Sequence, residues 1–430
     1  MRPGPRIQAA AEVLEAIFSH HQPAATALQD WGKKHRFAGS GDRAAIGTLV
    51  FDALRQRLSL AARMGSTEPR ALAIAAAAKA LGLTPDEIAR ACDGPHAPPP
   101  LSDDERRRLD VPIDATTAPH IAADIPEWLM PSFTRAFGDR VIEEGRAMAE
   151  RAPVDLRANT LKAGRDKVLA ALEKMNPAPT QFAPNGVRIA APEGPAKSPH
   201  AEAEASHGKG WFEIQDEGSQ IAAAMSGAKP RHQVLDLCAG AGGKTLALAA
   251  IMEGSGQIYA YDSDKFQLRP IFERLQRAGA RNVQVIDGGD TAALDALGAR
   301  FDIVFADAPC SGSGTWRRKP DSKWRLRPEA FATRQKEQRE VLTRAASLVK
   351  PGGRLTYVTC SVLPEENVDQ AAWFAGAHPE FTLTPFSEVW QEALGGTPPA
   401  SADGSSDTLQ LTPAMHGTDG FFIATFTRSA

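Results

Sequence analysis

From residue 233 onward, short apolar runs alternate with helical stretches, and this rhythm limits the fold more than any other feature of the chain. The apolar runs are QVLDLCA, GQIYAYD, NVQVID, FDIVFADAP and GGRLTYVTCS. Between them lie KTLALAAIM, SDKFQLRPIFERLQRAG and PEAFATRQKEQREVLTRAASLVK, each with helical spacing of its apolar residues. Strands that are apolar along their whole length must be covered on both faces, and crossover helices cover them. The expectation is an α/β fold built on a parallel, Rossmann-like sheet, with FFIATFT (421–427) as a last strand.

Such sheets bind ligands beyond the carboxyl ends of their strands. CAGAGGKT (238–245) falls there. Its GGKT suggests a phosphate-cradling loop, but the first glycine of that motif would have to stand where the chain has Cys238. What remains is a strand, a glycine-rich turn and a helix starting near Lys244. The next strand ends at Asp262, whose carboxylate can bind ribose hydroxyls. Together these features indicate an adenosyl cofactor, NAD or S-adenosylmethionine, and the lack of G-x-G-x-x-G spacing weighs against NAD.

The four cysteines, Cys92, Cys238, Cys310 and Cys360, form no C-x-x-C pair, which argues against a disulfide framework and against a zinc or other metal site. Free cysteines are usually packed core thiols. Cys310, however, follows Asp307 directly beyond one strand, and Cys360 follows the next. A thiolate beside a methyl donor suits methylation of a pyrimidine carbon. Addition to C6 makes C5 nucleophilic, a carboxyl at N3 assists, and a base then removes the C5 proton. Asp307 is placed for N3, while Cys238, in the cofactor turn, reads as packing. Either cysteine loop could present the attacking thiol.

DLCAGAGGKT, DAPCSGSGTWRRKPDSKWR, YVTCSVLPEEN and DGFFIATF closely resemble the RsmB/Sun-type family of RNA (cytosine-5) methyltransferases. With RANTLK (157–162) and WFEIQDEGSQIAA (211–223), the resemblance runs over about 125–427. GDRAAIGTLVFDALRQR is similar to the NusB-like domain of the ribosomal members. The resemblance implies S-adenosylmethionine as cofactor, Cys360 as nucleophile and Cys310 in product release. It also implies cofactor contacts from Cys238, Ala239, Gly240, Ala241, Gly242, Gly243, Lys244, Asp262, Asp307 and an acid after the third strand. Asp287 and Asp290 both fit that last place, and Asp290 is preferred because it follows glycine as in the family. Gly240-Ala241 stand where many members have Ala-Pro, which leaves a workable turn.

The expected domains are an all-helical NusB-like, RNA-binding domain (1–92) of four or five helices and a Pro- and charge-rich linker (93–124). A small α+β RNA-binding subdomain (125–208) and the methyltransferase domain (209–430) follow. Asp42 is expected to cap a helix carrying Ile46, Leu49, Val50, Ala53, Leu54 and Leu58, and 395–407 reads as a disordered loop.

A net charge of −3 requires any RNA-binding cations to be clustered. TWRRKPDSKWRLRP (315–328) clusters Arg317, Arg318, Lys319, Lys323, Arg325 and Arg327 around Trp316 and Trp324. A charge run is usually a solvated face. The interleaved aromatics add base stacking to phosphate contact. Arg157 and Lys162 form a second candidate. The target base must leave its stack, so single-stranded or loop RNA is expected. The NusB-like resemblance favours small-subunit ribosomal RNA, with transfer RNA, or a non-catalytic role in ribosome assembly, as the alternatives. No run approaches a membrane span and no signal-peptide pattern opens the chain, so a cytoplasmic monomer without membrane partners is expected.

Overall fold

A computed structural model describes residues 1–111, 117–194, 196 and 199–430. It divides into two compact units. One comprises Met1–Ala152, Ala191–Ser198 and Thr315–Leu326, and the other Pro153–Ala190, Pro199–Gly314 and Arg327–Ala430. Among the described residues, no helix is long and apolar enough to cross a membrane.

The first unit is helical. Over residues 1–92 it has six helices, Pro3–His20, Ala24–Lys34, Ser40–Arg55, Arg57–Met64, Pro69–Leu81 and Pro85–Ala91, one more than the upper expectation. Ile46, Leu49, Val50, Ala53 and Leu54 are buried in their shared core, whereas Leu58 falls in the next helix, after the break at Gln56, and is half-buried. Asp42 caps nothing: it lies inside its helix and accepts hydrogen bonds from the Met1 ammonium (2.8 Å) and the Arg6 guanidinium. The stretch 93–124 is more than a linker. Ser102 and Glu105 form a capping box for the helix Asp103–Asp110, and Leu101 and Leu109 join the helical core. Residues 112–116 of that stretch lie outside the described residues. Two further helices, Met130–Phe137 and Val141–Met148, belong to the same unit.

The second unit holds two sheets. Strands β1 (Val154–Ala158), β2 (Ala178–Pro179), β3 (Gly186–Ile189) and β4 (Phe212–Ile214) form an antiparallel sheet in the order β2-β3-β1-β4. The larger sheet consists of β5 (Gln233–Asp236), β6 (Gln257–Ala260), β7 (Val283–Val285), β8 (Phe301–Asp307), β9 (Val349–Thr359), β10 (Phe381–Thr384), β11 (Leu409–Leu411) and β12 (Phe421–Arg428). Its order is β10-β12-β9-β8-β5-β6-β7, with β11 paired to β12.

Strands β5 to β9 run parallel, as their apolar runs require. Val234, Ile303 and Phe305 enter the core on one face, and Leu235, Val304 and Ala306 the core on the other. The last strand, β12, is antiparallel and inserts between β9 and β10. Because the chain reverses direction around β5, with β6 on one side and β8 on the other, a crevice opens at the carboxyl ends there.

Two sequence expectations give way to local chemistry. SDKFQLRPIFERLQRAG breaks into Lys265–Leu268 and Ile271–Ala278, because Pro270 has no N–H to continue the first helix. The loop 395–407 is stitched down: Ser401 Oγ donates to Asp403 Oδ1 (2.6 Å), and Gln410 N donates to Ser401 Oγ (2.7 Å).

The far edge of the sheet is held by Phe374, fully buried with Phe381 and Phe426 at 5.2 and 4.7 Å between ring centroids. Replacing it with alanine should cost about 3–5 kcal/mol, read as a lower urea midpoint.

Candidate active site

At the crevice lies a cavity of about 1590 Å3, lined by the turn after β5, by Asp262 after β6 and by Asp307 at the end of β8. The turn bends sharply because Gly240 (φ 50) and Gly242 (φ 83) are left-handed. A Cβ on Gly242 would come within 2.4 Å of Ile271 Cγ1, so the helix Ile271–Ala278 can pack only against glycine there. A Cβ on Gly240 would meet nothing within 4 Å, so that backbone is open to a ligand. Cys238, Ala239, Gly240, Ala241, Gly243 and Lys244 all line the cavity.

Asp262 anchors the turn. Its Oδ2 accepts from Gly240 N and its Oδ1 from Asp264 N, both at 2.8 Å. Each oxygen keeps a further lone pair, so a ribose diol can donate to the same carboxylate. This donor set and the open turn fit an adenosyl cofactor. Asp287 and Asp290 are both exposed, and neither lines the cavity, whereas Thr291 and Asp295 do. Asp290 is the N-cap of the helix Thr291–Asp295, accepting from Ala293 N at 2.9 Å.

Deeper in the site, Lys244 Nζ donates to Asp307 Oδ2 at 2.6 Å and lies 5.2 Å from the Phe421 ring centroid. Burial pulls this ammonium down, but the charge and hydrogen bond of Asp307, helped by Cys360 and Asp236, outweigh it and hold the pKa above the usual lysine value. Asp236, at the end of β5, is fully buried, accepts from Thr245 Oγ1 at 2.6 Å, and leaves Oδ1 without a hydrogen-bond partner. Burial pushes it up to about 7, against the Thr245 hydrogen bond and with the help of the Asp307 charge.

The two cysteines expected to react do meet. Strands β8 and β9 pair in parallel with Asp307 opposite Val358, and the loops beyond them bring Cys310 Sγ to 3.4 Å from Cys360 Sγ. The Cys360 hydrogen bond, burial and the charges of Cys360 and Glu366 push the Cys310 thiol well above its usual value. Cys238 is also pushed well up, by burial and by the charges of Asp262, Asp307 and Asp236, as suits a packed thiol.

Residues 224–427 match the family model of the 16S rRNA methyltransferase RsmB/F, and residues 125–194 match the ferredoxin-like domain of RsmF/B-like methyltransferases. Ribosomal RNA small subunit methyltransferase B of Shewanella oneidensis is 32% identical over 309 residues, 71% of this chain and 67% of that one. The chain belongs to the RsmB/F methyltransferase family. A probable ribosomal RNA small subunit methyltransferase B of Synechocystis sp. is 34% identical over 303 residues, 70% of this chain and 66% of that protein. The chain thus spans about two thirds of the length of these curated relatives. Among solved structures, PH0851 superposes with a TM-score of 0.74 at 26% identity, covering 99% of both chains. A methyltransferase homolog protein from Pyrococcus horikoshii gives 0.59 at 28% identity, over 72% of this chain and 97% of that one.

The cations expected to meet RNA divide sharply. In this RsmB/F member the run 315–326 is a packed part of the helical unit. Lys323 is 2% exposed, and its Nζ donates to Arg55 O (2.9 Å) and Asp124 O (2.7 Å). Burial lowers its pKa to about 8, against the pull of the Asp124 charge. Arg317 is buried, its carbonyl accepting from Arg55 Nε, and Trp324 Nε1 donates to Leu54 O. Lys319, Arg325 and Arg327 are exposed and Arg318 is half-buried, so these four present charge to solvent.

Arg157 is likewise interior, with Nε on Gln215 Oε1 at 2.7 Å, and burial lowers its pKa to about 10. Lys162 is exposed, but its Nζ caps the helix Ile271–Ala278 through Arg277 O at 2.6 Å. Sequence reasoning missed Asp236, Phe421 and Glu366. Only Glu366 carried a signal, as a second acid in the PEEN that follows the Cys360 loop.

Asp236 sets a pH dependence. Its folded pKa lies above its unfolded one, so the folded state binds the extra proton, and stability falls as pH rises from about 4 to about 7. Asp236→Asn should remove that slope. Urea unfolding should show the variant gaining on the wild type by about 1 kcal/mol per pH unit through this window and no further above it.

Proposed function

We propose that this chain transfers the methyl group of S-adenosylmethionine to carbon 5 of a cytosine in RNA, with small-subunit ribosomal RNA as the substrate. The observation that carries this reading is the 3.4 Å approach of Cys310 and Cys360 beside the glycine turn and the Asp307–Lys244 pair. A methyl donor alone would not call for two thiols. Addition to a pyrimidine ring uses one thiol as nucleophile, and its elimination gives the second a proton to transfer. The names of the relatives support ribosomal RNA as the substrate class.

The cofactor supplies the electrophilic methyl group. Cys360 Sγ gives up its proton to solvent and bonds to C6, opening the C5–C6 double bond and moving electron density onto N3 and C5. The Asp307–Lys244 pair, hydrogen-bonded at 2.6 Å, answers the charge developing at N3. After C5 is methylated, its proton leaves to a base, the C5–H electron pair restores the ring double bond, and the Cys360 sulfur departs. Cys310, a thiol 3.4 Å from Cys360 Sγ, gives its proton to the departing sulfur and is reprotonated from solvent. One observation fits this division of roles: the Cys360 hydrogen bond and burial hold Cys310 in its thiol form, which suits a proton transfer in the release step. Asp262, with the backbone of 239–243, holds the adenosyl end.

Protein incubated with methyl-labelled cofactor and unmodified small-subunit ribosomal RNA should yield 5-methylcytosine. Label on a nitrogen or a ribose would sink the reading, and label appearing only on transfer RNA would change the substrate. Cys360→Ala should lower turnover by on the order of 1000-fold or more and form no protein–RNA adduct. Cys310→Ala should also stop turnover but accumulate an adduct that survives denaturing electrophoresis. The opposite pattern would exchange the two roles.

A further inference from the structure

Glu366 is fully buried, yet none of the chemistry above uses it. It lies just past the Cys360 loop, in the short turn of helix Pro364–Glu366. Its carboxylate points back toward the loops that carry the two thiols. Oε1 accepts from Ser311 N at 2.7 Å and from Gln338 Nε2 at 3.3 Å, and Oε2 accepts from Ser311 Oγ at 2.6 Å. Ser361 hydrogen-bonds the same carboxylate. Ser311 follows Cys310 and Ser361 follows Cys360, so one side chain grips the residue after each sulfur.

The surroundings extend that grip. Gln338 Nε2 also donates to Pro309 O at 3.0 Å, on the other side of Cys310. Ser361 Oγ lies 2.9 Å from Ser313 Oγ, which in turn accepts from Val362 N at 2.9 Å. Tyr357, on β9, donates to the Glu366 carbonyl at 2.6 Å and fixes the backbone from which the carboxylate projects. A buried carboxylate is costly unless several donors meet it. Here all its donors come from, or brace, the two cysteine loops.

We propose that Glu366 is a positioning residue that lashes the Cys310 and Cys360 loops together and sets the separation of their sulfurs. Neighbouring strands lie about 4.8 Å apart, and loops leaving them have no reason of their own to converge. The Glu366 clamp supplies that reason. The proposal rests on the reading of the two cysteines as the reacting pair, but the clamp itself can be measured without RNA or cofactor.

The measurement is closure of the Cys310–Cys360 disulfide by a chromogenic aromatic disulfide reagent. One thiolate attacks the reagent, forming a mixed disulfide and releasing one aromatic thiolate. The second thiolate attacks the mixed disulfide, closing the protein disulfide and releasing another. Peptide mass confirms the linkage. Glu366→Gln keeps the volume but turns one acceptor into a donor. It should slow the second release by about tenfold or more, and lower kcat by a similar factor, with KM for RNA and cofactor affinity within about twofold of wild type.

Second release at the wild-type rate would overturn the clamp, whatever happens to activity. Slow closure in a protein whose wild type methylates no cytosine would leave the clamp standing and overturn the proposed function instead. Should Glu366→Gln not fold, Ser311→Ala removes only the Oγ contact. About threefold slower closure is then expected, and an unchanged rate overturns the proposal.

Discussion

The parallel pairing of β8 with β9, in the register that sets Asp307 opposite Val358, is the constraint from which the site follows. Both strands are buried on both faces, so neither can slip by one residue without turning its core side chains to the wrong side. The register fixes where each strand ends, and the ends fix the loops. Asp307, Cys310 and Cys360 are therefore delivered to one edge by packing of Phe305, Tyr357 and Val358, none of which takes part in chemistry. β5 delivers the glycine turn to the same edge because it pairs with β8 on its other side.

Once gathered, the polar groups create an electrostatic problem that the site answers with a single lysine. Asp236, Asp262 and Asp307 converge on the ends of three strands, and their charges act together on Cys238. Lys244 meets Asp307 directly, and Asp262 is satisfied by two backbone donors. Asp236 has only Thr245, which is why burial raises its pKa so far. The site thus holds its negative charge unevenly, with the cation toward Cys360 and a second carboxylate, Glu366, toward Cys310. The two thiols lie 3.4 Å apart but face different neighbours.

The α/β class, the parallel strands, the glycine turn and the meeting of Cys310 with Cys360 were legible in the sequence. Each is written in local pattern: apolar runs, a failed phosphate-loop count, and cysteines just past strand ends. What was illegible depends on partners distant in the chain. Lys323 reads as a surface cation because nothing beside it announces the carbonyls of Arg55 and Asp124. Trp316 and Trp324, taken as stacking platforms, instead supply the apolar mass that seats 315–326 in the helical unit. Basic residues interleaved with tryptophan describe a nucleic-acid surface and a packed wedge equally well. The capping box at Ser102 and Glu105 was there to be seen, whereas the burial of Leu101 and Leu109 depends on tertiary packing.

The buried cations also bear on how the chain holds itself together. Thr315–Leu326 begins five residues after Cys310 and returns to the catalytic unit at Arg327, yet it packs with the N-terminal helices. A buried ammonium is destabilising unless its protons are placed, and Lys323 places two of them on carbonyls that would otherwise lack donors. The Asp124 carboxyl accepts from Leu58 N and Ser59 N, so the residue whose carbonyl receives the lysine also closes the start of the helix Arg57–Met64. Removing the lysine would leave a carboxyl and two carbonyls buried together. The run that reads as an RNA handle in sequence is, at its centre, a structural pin, and the charge it presents to solvent lies at its margins, on Arg318, Lys319, Arg325 and Arg327.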